Sequence, residues 1–306
     1  MAEHRRMTPE PGPTTREQLD ELLACLDLEA IDLDIFRGQN ERQRGPRLFG
    51  GQVAAQALVA AGRTVEGQAA HSLHAYFLRP GDPSTPVIYR VDRIRDGRSF
   101  ATRHVVAIQR GKAIFNVSVS FHLEEKGYEH QFEMPDAPPP ESLPTWTEMV
   151  TKALDRLPPE VRSWAPRPRP IDMRFVHPPT FFGGAPRRGT CFVWMRVSHP
   201  LPDDPFLHQC LLTYASDMSL LDNIVKPHGR SGPLGPLMTA SLDHALWFHR
   251  PLRVDDWLLY VQDSPAARGA RGLARGTLYA RSGELVASVA QEGLMRPVTR
   301  DEDRSQ

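Results

Sequence analysis

Long apolar runs, paired cysteines and an excess of either charge are all missing from this chain of 306 residues, and each absence removes a class of protein. No stretch approaches the roughly 20 apolar residues that a membrane-spanning helix needs. The first residues, MAEHRRMTPEPGPTT, lack the apolar centre of a secretory signal, and the last, DEDRSQ, do not form a peroxisomal address. A cytoplasmic location is therefore expected. The three cysteines, Cys25, Cys191 and Cys210, are far apart and form no C-x-x-C pair, which argues against a disulfide framework or a zinc site. Lys plus Arg and Asp plus Glu number 37 each, so nothing electrostatic favours nucleic acid or an acidic polymer. The expected partner is a small molecule. There is no G-x-S-x-G elbow, P-loop or G-x-G-x-x-G, and the Gly/Pro loop from Gly229 to Gly235 fits none of them. His71 and His74, like His244 and His249, are an odd number of residues apart on strand-like segments, so each pair points to opposite faces and makes a poor metal clamp. Neither a metal nor a redox cofactor is expected.

What is present centres on Pro205 to Val225, PFLHQCLLTYASDMSLLDNIV, whose spacing predicts one helix that is apolar on nearly every side. Asp203 or Asp204 can cap it, and Pro205 suits the first helical position. Asp217 falls on a face shared with Cys210, Tyr214 and Leu221. A carboxylate there must be hydrogen-bonded, protonated or directed into a water-filled pocket, since an unpaired buried charge costs several kcal/mol. Cys210 on the same helix has no base at a recognisable spacing and reads as a small hydrophobe.

The rest of the chain reads as two copies of one plan. Thr14 or Thr15 caps an amphipathic helix through Leu28, and Ile31 to Phe36 alternates like one short strand. Gly50 and Gly51 open a second helix without a polar face, which is followed by strands at 71–79, 87–95, 98–109 and 113–122. Between Pro135 and Pro179 fall twelve of the 29 prolines, around one helix near 146–157. Strand-like segments then recur at 190–198, 241–249, 257–262, 272–281 and 284–295. Arg79-Pro80 matches Arg250-Pro251, and the segment 111–121 matches 283–293, an offset of 171 or 172. A fully apolar helix followed by antiparallel strands is buried on every side only if the sheet curls around it. The fold class is thus α+β, two tandem hotdog domains forming a double hotdog. The expected division is a disordered 1–13, a first hotdog domain 14–125, a Pro-rich linker with one helix 126–179, a second hotdog domain 180–298 and a tail 299–306.

Several strings together, RLFGGQ at 47–52, FLRPGD at 77–82, DGRSFATR at 96–103, YASD at 214–217, SLDHALWFHRP at 241–251, WLLY at 257–260 and VAQEGLMR at 289–296, resemble the acyl-CoA thioesterase II (TesB-like) family from about residue 15 to residue 297. The resemblance implies hydrolysis of a fatty acyl-CoA to free fatty acid and coenzyme A, without a cofactor, by water activated at Asp217, Ser241 and Gln291. It also implies a homodimer or homotetramer. Where the family often has Thr, this chain has Ser241, with Thr239 close by as a second hydroxyl.

Alternation supports the same residues. Leu285, Ala287, Val289 and Gln291 share one face of the last strand, so an amide continues an apolar row. The matching row, Ala113, Phe115, Val117 and Val119, stays apolar, and the helix after Gly50 has no carboxylate. Polar groups therefore collect in the second half, either as a site or as a structural buried pair. Gly50 and Gly51 can offer backbone N–H groups to an oxyanion, or simply allow close packing. Arg271, with Arg275 on its face of a strand, can meet phosphates, or lie on an ordinary solvated edge. Two other functions fit the fold: an enoyl-CoA hydratase, if His244 points inward, or an acyl-CoA sensor without turnover.

Overall fold

The chain enters its fold through a capped helix. In the computed structural model, which describes residues 13–298 apart from 43–44, 158, 163, 184 and 230–236, α1 (Thr15–Leu26) begins with a reciprocal capping box between Thr14 and Glu17. The segment read as one strand around Ile31–Phe36 is a hairpin, β1 (Glu29–Asp32) and β2 (Ile35–Gly38). Asp34 turns the chain there with φ of 58°, a conformation that a continuous strand excludes.

Helix α2 (Gly50–Gly62) is buried at every position from Gly51 to Ala61. Strands β3 (Ala69–Phe77), β4 (Val87–Asp96), β5 (Phe100–Gln109) and β6 (Lys112–His122) follow close to their expected places. The Pro-rich stretch holds a one-turn helix at 140–142, α3 (Trp146–Ala153) and α4 (Pro159–Arg162). Within 126–179 there is also a strand, β7 (Ile171–Phe175), which pairs with β8 (Cys191–Val197). Helices α5 (Pro205–Ser216) and α6 (Asp222–Val225) precede β9 (Leu237–Ser241), β10 (Asp243–Phe248), β11 (Leu258–Arg268), β12 (Arg271–Ala280) and β13 (Leu285–Pro297). The expected disorder of 1–13, except for Pro13, the tail 299–306 and most of the Gly229–Gly235 loop lie outside the described residues.

Strand order is β1-β2-β4-β5-β6-β3-β10-β13-β12-β11-β8-β7, with β9 added to β13. Outward from the β3–β10 pair, the two directions repeat the same connectivity. Register agrees: Ala75 lies opposite Val117 as Leu246 lies opposite Val289, the 171 and 172 offsets seen in the sequence. Antiparallel pairing of β3 and β10, from Asp243 opposite Tyr76 to Trp247 opposite Ser72, joins the halves into one sheet.

Helices α2 and α5 pack against each other in the concavity of that sheet. They run antiparallel, because Gly51 meets the Tyr214 carbonyl at one end while Gly62 meets the Phe206 ring at the other. One hydrophobic core, including Leu58, Leu73, Val119, Leu211, Leu246 and Leu278, spans both halves. The sequence predicts one helix from 205 to 225, but α5 ends at Ser216. The Ser216 carbonyl, which a continuing helix would bond internally, accepts from the Tyr260 hydroxyl at 3.1 Å. Residues 217–221 then form turns before α6.

Candidate active site

The antiparallel helix pair places the last residue of one helix against the first turn of the other. Asp217 is the C-cap of α5, not a mid-helix residue. Beside it, α2 starts after Phe49, whose side chain supplies no cap. Asp217 fills that role from across the interface: the Gly51 N–H favours its ionised form. A Cβ on Gly50 would lie 2.7 Å from Asp217 Oδ2, so glycine lets the carboxylate approach the helix start.

From the sheet side, β13 delivers Gln291, which is fully buried. Its Nε2 donates to Asp217 Oδ1 at 2.7 Å and to Ser241 Oγ, at the end of β9, at 2.9 Å. Both amide hydrogens are thus committed. Of the two hydroxyls the sequence offered, Ser241 is the one in the trio, while Thr239 sits opposite Met295 on an exposed position. Ser241 and β10 also belong to two strands rather than one, since Leu242 breaks the ladder between β9 and β10.

Asp217 and Ser241 line a cavity of about 1060 Å³ together with Gly50, Phe77 and Met218. One side of the carboxylate faces this space and protein surrounds the rest. Burial therefore pushes the Asp217 pKa up to about 6, against the opposing effects of the Gln291 amide and the Gly51 N–H. A carboxylate titrating there is ionised at neutral pH and still basic enough to take a proton.

Of the six residues singled out in the sequence, the structure brings five together: Asp217, Ser241, Gln291, Gly50 and Gly51. Arg271 is elsewhere, exposed on β12 and ion-paired with Glu292 at 3.0 Å. Arg275 is paired with Asp263 at 2.9 Å. The cavity lining instead includes Arg42, Arg47, Arg79 and Lys226. Cations in loops and at the ends of strands and helices carry no periodic signal, so spacing gives no means of finding them.

His244 does point inward, being 1% exposed. Its Nε2 meets Ser216 Oγ at 2.9 Å, and burial lowers its pKa to about 4, so it is neutral near pH 7. Its partner Ser216 is the residue before Asp217, and His244 does not bond the carboxylate itself among the described contacts. The repeat offset could have drawn attention to it, since the first-half residue 171 earlier is Leu73. Among the described residues no group of three or more His, Cys, Asp or Glu side chains is arranged to hold a metal, and no helix is long and apolar enough to cross a membrane.

Known proteins resemble this chain over most of its length. The family description "Acyl-CoA thioesterase" matches residues 169–294, and "Acyl-CoA thioesterase N-terminal domain" matches residues 40–122. The chain is 38% identical over 279 residues to Acyl-CoA thioesterase 2 of Haemophilus influenzae, covering 91% of this chain and 98% of that protein. A crystal structure of an acyl-CoA thioesterase II from Mycobacterium marinum superposes with a TM-score of 0.74 at 42% identity, covering 92% of this chain and 99% of that one. A hot-dog-fold protein of unknown function from Alicyclobacillus acidocaldarius, 21% identical, matches with a TM-score of 0.73 over 91% of this chain and 98% of that one, a likeness of fold alone. By sequence, by double-hotdog fold and over nearly its whole length, the chain belongs to the acyl-CoA thioesterase family.

Proposed function

We propose that this acyl-CoA thioesterase hydrolyses its substrate by direct attack of a water molecule held by Asp217, Ser241 and Gln291. The observation that carries the reading is the forked donation of one buried amide to a carboxylate and a hydroxyl at the cavity wall. With Gln291 donating to Ser241 Oγ, the hydroxyl hydrogen of Ser241 is left to donate to the water oxygen. Asp217 accepts a proton from the same water. As the water oxygen bonds to the thioester carbon, the carbonyl oxygen becomes an oxyanion, for which the Gly50 N–H at the start of α2 is a suitable donor, the Gly51 N–H being engaged by Asp217. Collapse breaks the carbon–sulfur bond. The leaving thiolate takes up the proton held by Asp217, giving coenzyme A and the free acid.

Arginines around the cavity, Arg47 and Arg79 among them, suit the phosphates of coenzyme A better than the ion-paired Arg271 does. His244, neutral and bonded to Ser216, offers no second acid or base at the carboxylate, which disfavours a hydratase. A cytoplasmic location, a homodimeric or homotetrameric assembly and the division into hotdog units 14–125 and 180–298 about the segment 126–179 belong to the same proposal, the assembly by resemblance and the division by the internal repeat.

Asp217→Asn tests the mechanism, because it removes the charge with little change of shape. Release of free coenzyme A from saturated acyl-CoA esters should fall by about 10²–10⁴-fold, the usual contribution of a general base. Binding of S-alkyl coenzyme A thioethers, which cannot be hydrolysed, should persist. Undiminished release would move the chemistry away from Asp217, and release abolished together with binding would mark a structural role.

A further inference from the structure

The stretch joining the two halves does more than connect them. Trp146 at the start of α3 packs against Trp164, with ring centroids 6.2 Å apart and planes 15° from parallel. Phe181 meets both, at 6.0 Å from Trp146 and 5.9 Å from Trp164, in edge-on contacts. Arg169 lies over the two indoles, 3.8 Å from one centroid and 4.9 Å from the other, which fixes the rings with a planar cation. The Trp146 indole N–H is bonded to the Ala165 carbonyl, so it presents hydrocarbon and not a donor. This aromatic group, with Met173 and Phe175 of β7, forms part of the lining of the same cavity that holds Asp217 and Ser241.

Its position relative to the carboxylate follows from the chain. Thr180 donates to Asp222 through both its backbone N–H and its hydroxyl. Phe181 is therefore anchored to α6, whose first residue is only five positions beyond Asp217. Met218 and Leu221, which follow Asp217 in the chain, line the same cavity as Phe181 and the paired tryptophans.

The ring faces of Trp146, Trp164 and Phe181 offer an alkyl chain apolar contact along this wall, with the Arg169 guanidinium held over the indoles. We propose that the interdomain stretch, together with the turn Thr180–Phe182 directly after it, forms the end wall of the acyl-binding site, with Phe181 setting the longest saturated chain accepted. The proposal rests on the thioesterase reading of this cavity and deepens it: the two halves supply the chemistry, and the segment between them, with the turn that follows it, supplies chain-length selectivity.

The experiment compares the native chain with Phe181→Ala and Phe181→Trp, changes of opposite size at a partly buried position. Dissociation constants are measured for S-alkyl coenzyme A thioethers of increasing length, which reports binding without turnover. Affinity should rise about fourfold per methylene until the chain meets the wall. The length at which the rise stops should increase in Phe181→Ala and decrease in Phe181→Trp, with the shortest thioethers bound equally by all three. At the longest chains the two variants should differ by about fifteenfold or more, two methylenes' worth. The same stopping length in all three proteins, or a loss of affinity for every length alike, would overturn the proposal. Release of coenzyme A from the corresponding esters is read on the same samples. Shifted binding limits without any release would leave the end wall standing and defeat the hydrolytic mechanism instead.

Discussion

At the residue scale, the function turns on one carboxylate whose surroundings oppose one another. Burial raises the pKa of Asp217 from 3.8 to about 6, while the Gln291 amide and the Gly51 N–H pull it back. Only the ionised form can accept a proton from water, so kcat/KM should increase as pH rises through about 6 and level off above it, a profile that steady-state assays across pH 4.5–8 would record. Stability should change in the opposite sense. A folded-state pKa above the unfolded value means that the native protein holds this proton more tightly than the unfolded chain, so ionising Asp217 costs stability. The cost is absent below about pH 4, grows between pH 4 and 6 and is constant above; the shift from 3.8 to about 6 corresponds to no more than about 3 kcal/mol. Asp217→Asn, inactive by the mechanism above, should therefore gain stability over the native protein across that interval and keep the gain at pH 8. Urea unfolding at a series of pH values measures it, and a difference independent of pH would show that the carboxylate does not bear this burial cost.

The element scale shows where sequence reading works and where it stops. Thr14 and Glu17, and Asp204 with Pro205, announce helix starts by local chemistry, and both starts are found there. Strands β3 to β6 and β10 to β13 show alternation over most of their length, and Gln291 was legible as the amide in an apolar row. Contacts distant in sequence decided the remainder. Apolar spacing continues through 217–225, so the end of α5 is invisible locally; it is set by Tyr260, 44 positions away, bonding the Ser216 carbonyl. Strand β7 alternates over only five residues within a Pro-rich stretch and becomes a strand because β8 is there to pair with it. The meeting of Gly51 with Asp217 also needs two helices that no periodicity relates.

That crossing makes Gly51 a strict test of the helix pair. A methyl group at this position would stand 2.4 Å from the Tyr214 carbonyl oxygen, a backbone atom that no rotamer change can move. Gly51→Ala should push α2 from α5, lower stability by about 1–3 kcal/mol and reduce turnover by withdrawing the N–H that faces Asp217. The urea midpoint and kcat, measured together, check both effects. A variant that retained both would mean that the helices do not approach as closely as described.

Over the whole molecule, the mirrored sheet contains two places where a helix end meets a helix start, and only one is equipped. At the other, the C-cap of α2 is Arg63, engaged with the Asp27 carboxylate and the Leu28 carbonyl. Val119 and Leu73, both fully buried, stand where the working end has Gln291 and His244. Calorimetric titration with an S-alkyl coenzyme A thioether should therefore find one ligand per chain. Two per chain would mean that the mirrored place also binds.

The joined sheet bears on how such an asymmetry can arise at all. In a symmetric pair of separate, identical half-length chains, every substitution is made twice, and a residue that suits one end of the assembly is imposed on the other. Once β3 and β10 belong to a single polypeptide, each position is inherited separately from its counterpart. A valine can then settle into packing at one end while a glutamine is kept for chemistry at the other, and the segment that joins the copies is free to acquire a purpose of its own.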